Sequence, residues 1–437
     1  MYSPILKKVI MPLADKVMST KIMHYYDEII NMQKLSKSEI NEWQNKNLKK
    51  LILHSFNNTE YYNTLFKENN LTPSDISSVD DLYKIPVLTK ENIRNNFKKM
   101  MPNNLNKILH KTSSTGGSSG DPLQFLIDID SWSYIVANTI IYWEKTGYKY
   151  GDKHLAIGST SLFVDDKESL KHRLYYKMKN KIGVNGVNMS NEVMKSYIEL
   201  IKNKKIKYLY GYASGIFLLA KFVLKNNYNL NIRAVFPTSE ILTDFYREII
   251  EKAFNCTIMD EYGAHDGGII AFETKRNYYE IGYNSYLSMK NLNKNIGDVL
   301  LTNLQSYSMP FINYELGDKV EINQNIESKT TYNGQIINKV YGRESNIIFL
   351  ENGNILTGPG FTILFKDLDV ESYSIAKVGS NSILLKIKKL DSYTLKQESI
   401  IIETLKKQAG QEIKINIEYV KMFETLKSGK IKYFYTT

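Results

Sequence analysis

The sequence predicts an α/β protein: a large N-terminal domain with a helical entry segment, parallel or mixed sheets flanked by helices, and a small β unit, followed by a small C-terminal α+β domain. Three observations carry the prediction. Strand and helix patterns alternate with short connections over residues 190–262, which is how a parallel sheet covered by helices reads. From Gly297 to Asn323 the apolar pattern becomes alternating and helix signals vanish. From Ser372 onward a strand, strand, helix, strand order follows, enough for a separate unit.

Bulk properties agree. A chain of 437 residues exceeds one ordinary core and implies two or three domains. Hydrophobic residues make up 43% and aromatics 12%, which places the chain among folded proteins and excludes a disordered one. Cys256 is the single cysteine, so no intrachain disulfide forms, and a reducing, cytoplasmic location is expected. The six histidines are scattered and offer no zinc-ligand spacing. A formal charge of +11 favours anionic partners such as nucleotides and CoA-like cofactors. Basic and aromatic residues do not interleave as in nucleic-acid surfaces, so no nucleic-acid partner is expected. Lys7, Lys8, Asp15 and Lys16 interrupt the N-terminus, so no signal peptide is read there. The longest apolar run, Tyr208 to Leu224, contains Gly211, Gly215 and Lys221, and no transmembrane segment is expected.

Along the chain, residues 1–110 read mostly as helix and connecting loop, with Leu48, Leu51, Ile52, Ser55 and Phe56 at helical spacing. Thr89 can cap a helix running to about Lys99. Thr112 to Pro122 reads TSSTGGSSGDP, where glycines and hydroxyls can turn several N–H and O–H donors toward one anion. No Lys follows Gly120, so this is not a Walker A loop, and a solvated linker is the bland alternative. An apolar stretch from Leu123 to Ile129 leads to a helix from Trp132 to Lys145.

Ser190 caps a helix with Met194, Tyr197, Ile198 and Ile201 on one face. Lys207–Tyr210, Arg233–Phe236 and Thr257–Glu261 read as parallel strands, with helices at Ser214–Lys225 and from Thr243 to Ala253 between them. Ligands bind where such strands end. Those ends hold Tyr210, Tyr212 and Ser214, then Pro237 to Glu240, then Tyr262 to Asp266. Val299–Thr302, Phe311–Tyr314 and Lys319–Ile322 read as strands of the small antiparallel unit. Strands near Ser372–Val378 and Ser382–Lys388, a helix near Leu395–Gln408 and a strand near Glu412–Tyr419 complete the chain.

The order of these motifs resembles the adenylate-forming superfamily, and more closely the phenylacetate-CoA ligase family and its relatives from capsular polysaccharide gene clusters. Ile85-Pro86-Val87-Leu88-Thr89-Lys90-Glu91 is similar to the family's LPxxTKxxL segment. Thr115-Gly116-Gly117-Ser118-Ser119-Gly120-Asp121-Pro122 resembles its T-S-G-[ST]-[ST]-G-x-P phosphate loop except at Gly116. Pro237-Thr238-Ser239-Glu240 resembles the adenine-pocket segment, and Tyr262-Gly263-Ala264-His265-Asp266 the Y-G-x-[ST]-E motif. Met309 to Asp318 is similar to PxIRYxxGD, Gly342-Arg343-Glu344-Ser345-Asn346 to the G-R-x-x-D hinge, and Gly429-Lys430 to the C-terminal G-K.

The resemblance implies an ATP-dependent ligase that joins a small-molecule carboxylic acid to AMP, releases pyrophosphate and passes the acyl group to CoA. An amine or hydroxyl of a sugar or surface-polysaccharide precursor is the alternative acceptor, and a non-catalytic nucleotide binder a further one. It implies an adenylation domain at 1–342 and a mobile lid at 343–437. Thr115, Gly116, Gly117, Ser118, Ser119 and Gly120 would hold phosphates. Ser239, Glu240, Tyr262 and Gly263 would line the adenine site, Asp318 would meet the ribose, and Arg343 the ribose or the phosphates. Tyr210, Tyr212, Ser214, Ala264 and His265 would face the acid. Asp266 would hold Mg²⁺, and Lys430 would be the catalytic cation.

Overall fold

The computed structural model describes residues 5–114, 123–158, 179–186, 189–323, 332–343, 347–350, 355–357, 364–365, 368–379, 382–421 and 434–436. The chain divides into two compact units, residues 1–316 with 320–340, and residues 317–319 with 341–437.

The first unit opens with helices α1 (Met11–Met18), α2 (Ile22–Met32), α3 (Lys37–Asn58), α4 (Glu60–Glu68) and α5 (Lys90–Met100). Ser36 starts α3 with a reciprocal bond to Glu39, and Thr89 starts α5 in the same way with Asn92. Each such box satisfies two donors that a helix start leaves without a partner. Strands β1 (His110–Ser114) and β2 (Gln124–Asp128) form an antiparallel hairpin, and α6 (Ile129–Glu144) follows without a break. Thr112–Ser114 are therefore strand rather than loop, and the helix expected from Trp132 begins three residues earlier. Most of the apolar stretch at Leu123–Ile129 is β2, whose Phe125 and Leu126 are both buried, while Ile129 opens α6.

From residue 190 onward the central sheet alternates as the sequence predicts, and two earlier strands join it. It contains β3 (His154–Gly158), β4 (Lys181–Asn185), β5 (Tyr208–Tyr212) and β6 (Ala234–Thr238), all parallel. Helices α7 (Asn191–Lys204), α8 (Ala213–Lys225) and α9 (Asp244–Phe254) connect them, with Ser190 and Thr243 as caps. The third strand, read as Thr257–Glu261, is two pieces: β7 (Thr257–Ile258) and β8 (Glu261–Ala264), both parallel to β6.

The sheet then continues through β9 (Gly268–Lys275), β10 (Tyr278–Ile281), β11 (Ser285–Asn293), β12 (Ile296–Asn303), β13 (Tyr314–Ile322) and β14 (Ile336–Arg343). Its order is β11-β12-β13-β14-β10-β9-β8-β6-β5-β3-β4, with β7 beside β6. The expected small antiparallel unit is thus the far wing of one mixed sheet. Phe311 and Ile312 are buried loop residues ahead of β13. Strands β3, β4, β9 to β11 and β14 were not read from sequence; in β9, Ile270, Ala271 and Phe272 are all buried, so it lacks the alternation that marks a half-exposed strand. One core on this side runs from Leu48 and Phe66 through Ile93 and Phe125 to Leu301 and Tyr314. A second packs α2 and α6 against β5, β6 and β9.

In the second unit β15 (Ile347–Phe349) and β16 (Ile355–Thr357) pair antiparallel. Strands β17 (Val370–Lys377), β18 (Ser382–Lys389), β19 (Lys414–Tyr419) and β20 (Phe434–Thr436) form a sheet of order β19-β18-β17-β20. Helix α10 (Leu395–Ala409), capped by Thr394, buries Ile401 and Leu405 in a core with Ile375, Ile383, Leu385 and Ile387.

Candidate active site

The carboxyl ends of β5, β6 and β8 are built for close approach. Gly211, next to last in β5, has φ +134°, and a Cβ there would lie 2.0 Å from the Ile157 carbonyl oxygen. Only glycine fits that conformation and that gap. Ser239 adopts φ 68°, turning the chain after β6. The next residue, Glu240, accepts the Ser214 N–H through Oε2 at 2.7 Å. That carboxylate sits at the start of α8, where the helix dipole favours a negative charge. Glu240 therefore ties the end of β6 to the end of β5.

Tyr210 and Tyr212 are half-buried on this face. The Tyr210 ring lies 5.3 Å from the Trp143 ring, and Lys181 Nζ stands 5.3 Å over it. Trp143 stacks on Phe236 at 4.1 Å and donates its indole N–H to Glu261 Oε1 at 2.5 Å. The other oxygen, Oε2, is buried with no hydrogen-bond partner among the described residues. Burial pushes the Glu261 carboxyl up to about 8, with the Trp143 bond opposing and the neighbouring Asp260 charge adding to the rise. Burial likewise pulls Lys181 down to about 8. Tyr262, by contrast, is 6% exposed and points into the first core.

Three of the sequence motifs, with Ser113 of β1 beside them, meet around the turn after β8. Leu88 pairs with the start of β13: its N–H donates to the Asn313 carbonyl at 3.1 Å, and the Glu315 N–H donates back at 2.9 Å. Thr89 then caps α5, which makes Lys90 the first residue of that helix. The Lys90 Nζ lies 3.9 Å from Asp266 Oδ2. The Tyr314 hydroxyl donates to the same oxygen at 2.5 Å. Beside Asp266, His265 Nε2 is 2.9 Å from Ser113 Oγ, and its ring meets Phe125 edge-on at 5.7 Å. Ser113 lies on β1, just ahead of the glycine-rich segment in sequence. Ala264 and Gly263 are half-buried on the same strand end.

The placement of Asp266 bears on magnesium. Its side chain is 2% exposed, and Oδ2 serves both a phenol and a nearby ammonium. Mg²⁺ demands ligands at roughly 2.0–2.1 Å and keeps several waters. A carboxylate so enclosed, with a lysine beside it, does not fit that ion.

The remaining expected residues divide. Asp318 is buried in the middle of β13, and Arg343 is the last residue of β14. Thr115, Gly116, Gly117, Ser118, Ser119, Gly120 and Lys430 lie outside the described residues, as does the Arg343 side chain. Sequence reasoning missed Lys90, Ser113, Tyr314 and Glu261 as site residues. Lys90 and Tyr314 lay inside quoted motifs. A lysine directly after a helix cap was the available signal, because it opposes the helix dipole.

No family model matches the chain. Protein CapK of Staphylococcus aureus is 26% identical over 420 residues, 94% of this chain and 92% of CapK. Phenylacetate-coenzyme A ligase of Pseudomonas putida is 22% identical over 343 residues, 74% of this chain and 75% of that enzyme. Among solved structures, 2-hydroxyisobutyryl-CoA ligase in the postadenylation state with R3-HIB-AMP superposes with a TM-score of 0.66 at 14% identity, covering 92% of this chain and 90% of that one. The resemblance read from the motifs holds: the homologues are CapK and phenylacetate-CoA ligases, and the fold is that of the adenylate-forming acyl-CoA ligases.

Proposed function

We propose that this protein is an ATP-dependent acid ligase that forms an acyl-adenylate, releases pyrophosphate and transfers the acyl group to CoA. The observation that carries the reading is the convergence of the Leu88–Lys90, Ser113, His265–Asp266 and Tyr314 segments at the carboxyl edge of the sheet. Charge accumulates on phosphate oxygens in such a reaction, so catalysis consists chiefly of positioning and electrostatic stabilisation. In this reading the hydroxyls and amides from Thr115 to Gly120 hold the phosphates, and Asp318 and Arg343 meet the ribose. His265, Ala264, Ser214, Tyr212 and Tyr210 line the path of the acid. Lys430 neutralises charge between the carboxylate and the α-phosphate, carried by a C-terminal domain that rotates between half-reactions. Magnesium enters as the counterion of the phosphates. ATP hands AMP to a cytoplasmic acid, and CoA takes the acyl group.

The test is to mix protein, ATP and a panel of acids, and to look for acyl-AMP by mass spectrometry before and after adding CoA. An acyl-AMP that CoA converts to a thioester supports both steps. An acyl-AMP untouched by CoA keeps adenylation and removes CoA as acceptor. In Lys430→Ala, acyl-AMP formation is expected to fall by about a hundredfold or more while ATP still binds; normal formation removes Lys430 from the mechanism.

A further inference from the structure

We propose that Lys90 is the fixed cation of the nucleotide phosphate site, and that Asp266 anchors this ammonium instead of ligating Mg²⁺. The inference rests on the nucleotide-binding part of the function proposed above. Three observations support it.

The first is the enclosure of Asp266, 2% exposed at its side chain, with Tyr314 bonded at 2.5 Å and Lys90 at 3.9 Å from one oxygen. A cation is already in place there, carried by the chain. The second is the position of Lys90. At the first residue of α5 a positive charge opposes the helix dipole and costs roughly 0.3–1 kcal/mol. Asp266, brought from across the sheet, offsets that cost and holds the side chain in one direction. A lysine kept against the dipole by a buried carboxylate is poorly explained as a solvated surface residue. The third is the neighbourhood. Asp266 follows His265, which meets Ser113 on β1, just ahead of Thr115 in sequence. The ammonium is 25% exposed at its side chain, so an anion can reach it. It thus stands near Ser113, two residues before the segment proposed to hold phosphates. A lysine ammonium is a compact donor of three N–H groups suited to phosphate oxygens, and its field is strong where water is thin. Tyr314 and Asp266 are positioning residues in this arrangement; Lys90 is the residue that meets the ligand.

The experiment measures ATP and inorganic pyrophosphate affinity by calorimetry on the full chain, across a Mg²⁺ titration, with melting curves as the folding control. Lys90→Met is expected to weaken both ligands by about tenfold or more, the loss of a charge-assisted bond, and Lys90→Arg to recover most of that loss. Asp266→Asn is expected to weaken ATP to a similar degree, because Lys90 is released, while the Mg²⁺ concentration at half-effect stays unchanged. The Lys90→Met/Asp266→Asn double variant should be no weaker than either single one. The inference is overturned if Asp266→Asn shifts the Mg²⁺ requirement strongly upward, or if Lys90→Met binds ATP and pyrophosphate as the parent does. Should Asp266→Asn fail to fold, Lys90→Met decides alone. Absence of ATP binding by the parent protein would overturn this inference together with the nucleotide reading; a loss confined to the variants concerns Lys90 only.

Discussion

At the scale of single residues, Glu261 is the group whose setting makes the sharpest demand. Its ordinary value of 4.5 rises to about 8 on burial, so the unfolded chain releases this proton at lower pH than the folded one. A raised carboxyl pKa contributes stability below pH 4.5, and that contribution is lost as pH rises toward 8. Glu261→Gln keeps an oxygen for the Trp143 N–H and removes the titration. The variant is therefore expected to melt progressively higher, relative to the parent, as pH is raised through that window. A difference that stays constant with pH would show that Glu261 is not held protonated. Single residues were also the least legible from sequence. His265 and Asp266 were found because a motif pointed to them, and Glu261, one place ahead of that motif, was passed over. Nothing local marks a glutamate as buried; Trp143, 118 positions away in sequence, makes it so.

Among the secondary-structure elements, the short segment Leu88–Lys90 does the most to assemble the site. It pairs with β13 through Leu88, caps α5 through Thr89 and places Lys90 against Asp266. Thr89→Ala is expected to cost about 1 kcal/mol from the lost cap, and to weaken ATP binding as well, since Lys90 loses its fixed start. A melting loss with unchanged ATP affinity would separate the cap from the site. Near the end of β5, Gly211→Ala forces a Cβ into the Ile157 carbonyl at a φ that side chains avoid. A loss of about 2 kcal/mol or more follows, read as a lower denaturation midpoint; an unchanged midpoint would mean that β3 and β5 shift apart freely. Helices and capped starts were legible because Thr89, Ser190 and Thr243 announce themselves locally; the caps at Ser36 and Thr394 were passed over. The parallel strands from β5 onward were legible from apolar runs between those helices, whereas β3 and β4 were not read. Strand β9 was not, since both of its faces are covered and its apolar run has no period.

At the scale of the whole molecule, the two-unit α/β plan could be read from the sequence, but the joining of the β wing to the central sheet could not. That joining runs through the β8–β9 and β9–β10 hairpins and closes where Tyr279 and Glu280 of β10 meet Ile337 and Ile336 of β14, a pairing distant in sequence that no local pattern encodes. Charge behaves similarly. Basic residues are spread along the sequence, yet Lys153, Lys207 and Arg233 each directly precede a parallel strand. With Lys149, Lys204 and Lys205 they line one cavity of about 490 Å³ at the amino ends of those strands. The opposite, carboxyl ends carry the candidate site. Its layout was legible in outline because glycines and small polar residues cluster there. Its inner contacts, Ser113 to His265 and Tyr314 to Asp266, depend on the fold closing. The most direct test of the proposed reaction is ATP–pyrophosphate exchange with Mg²⁺ across aromatic, fatty, hydroxy and amino acids. Exchange that requires one class of acid is the predicted result and identifies the substrate class at once. ATP binding without exchange for any acid in the panel would contradict the account.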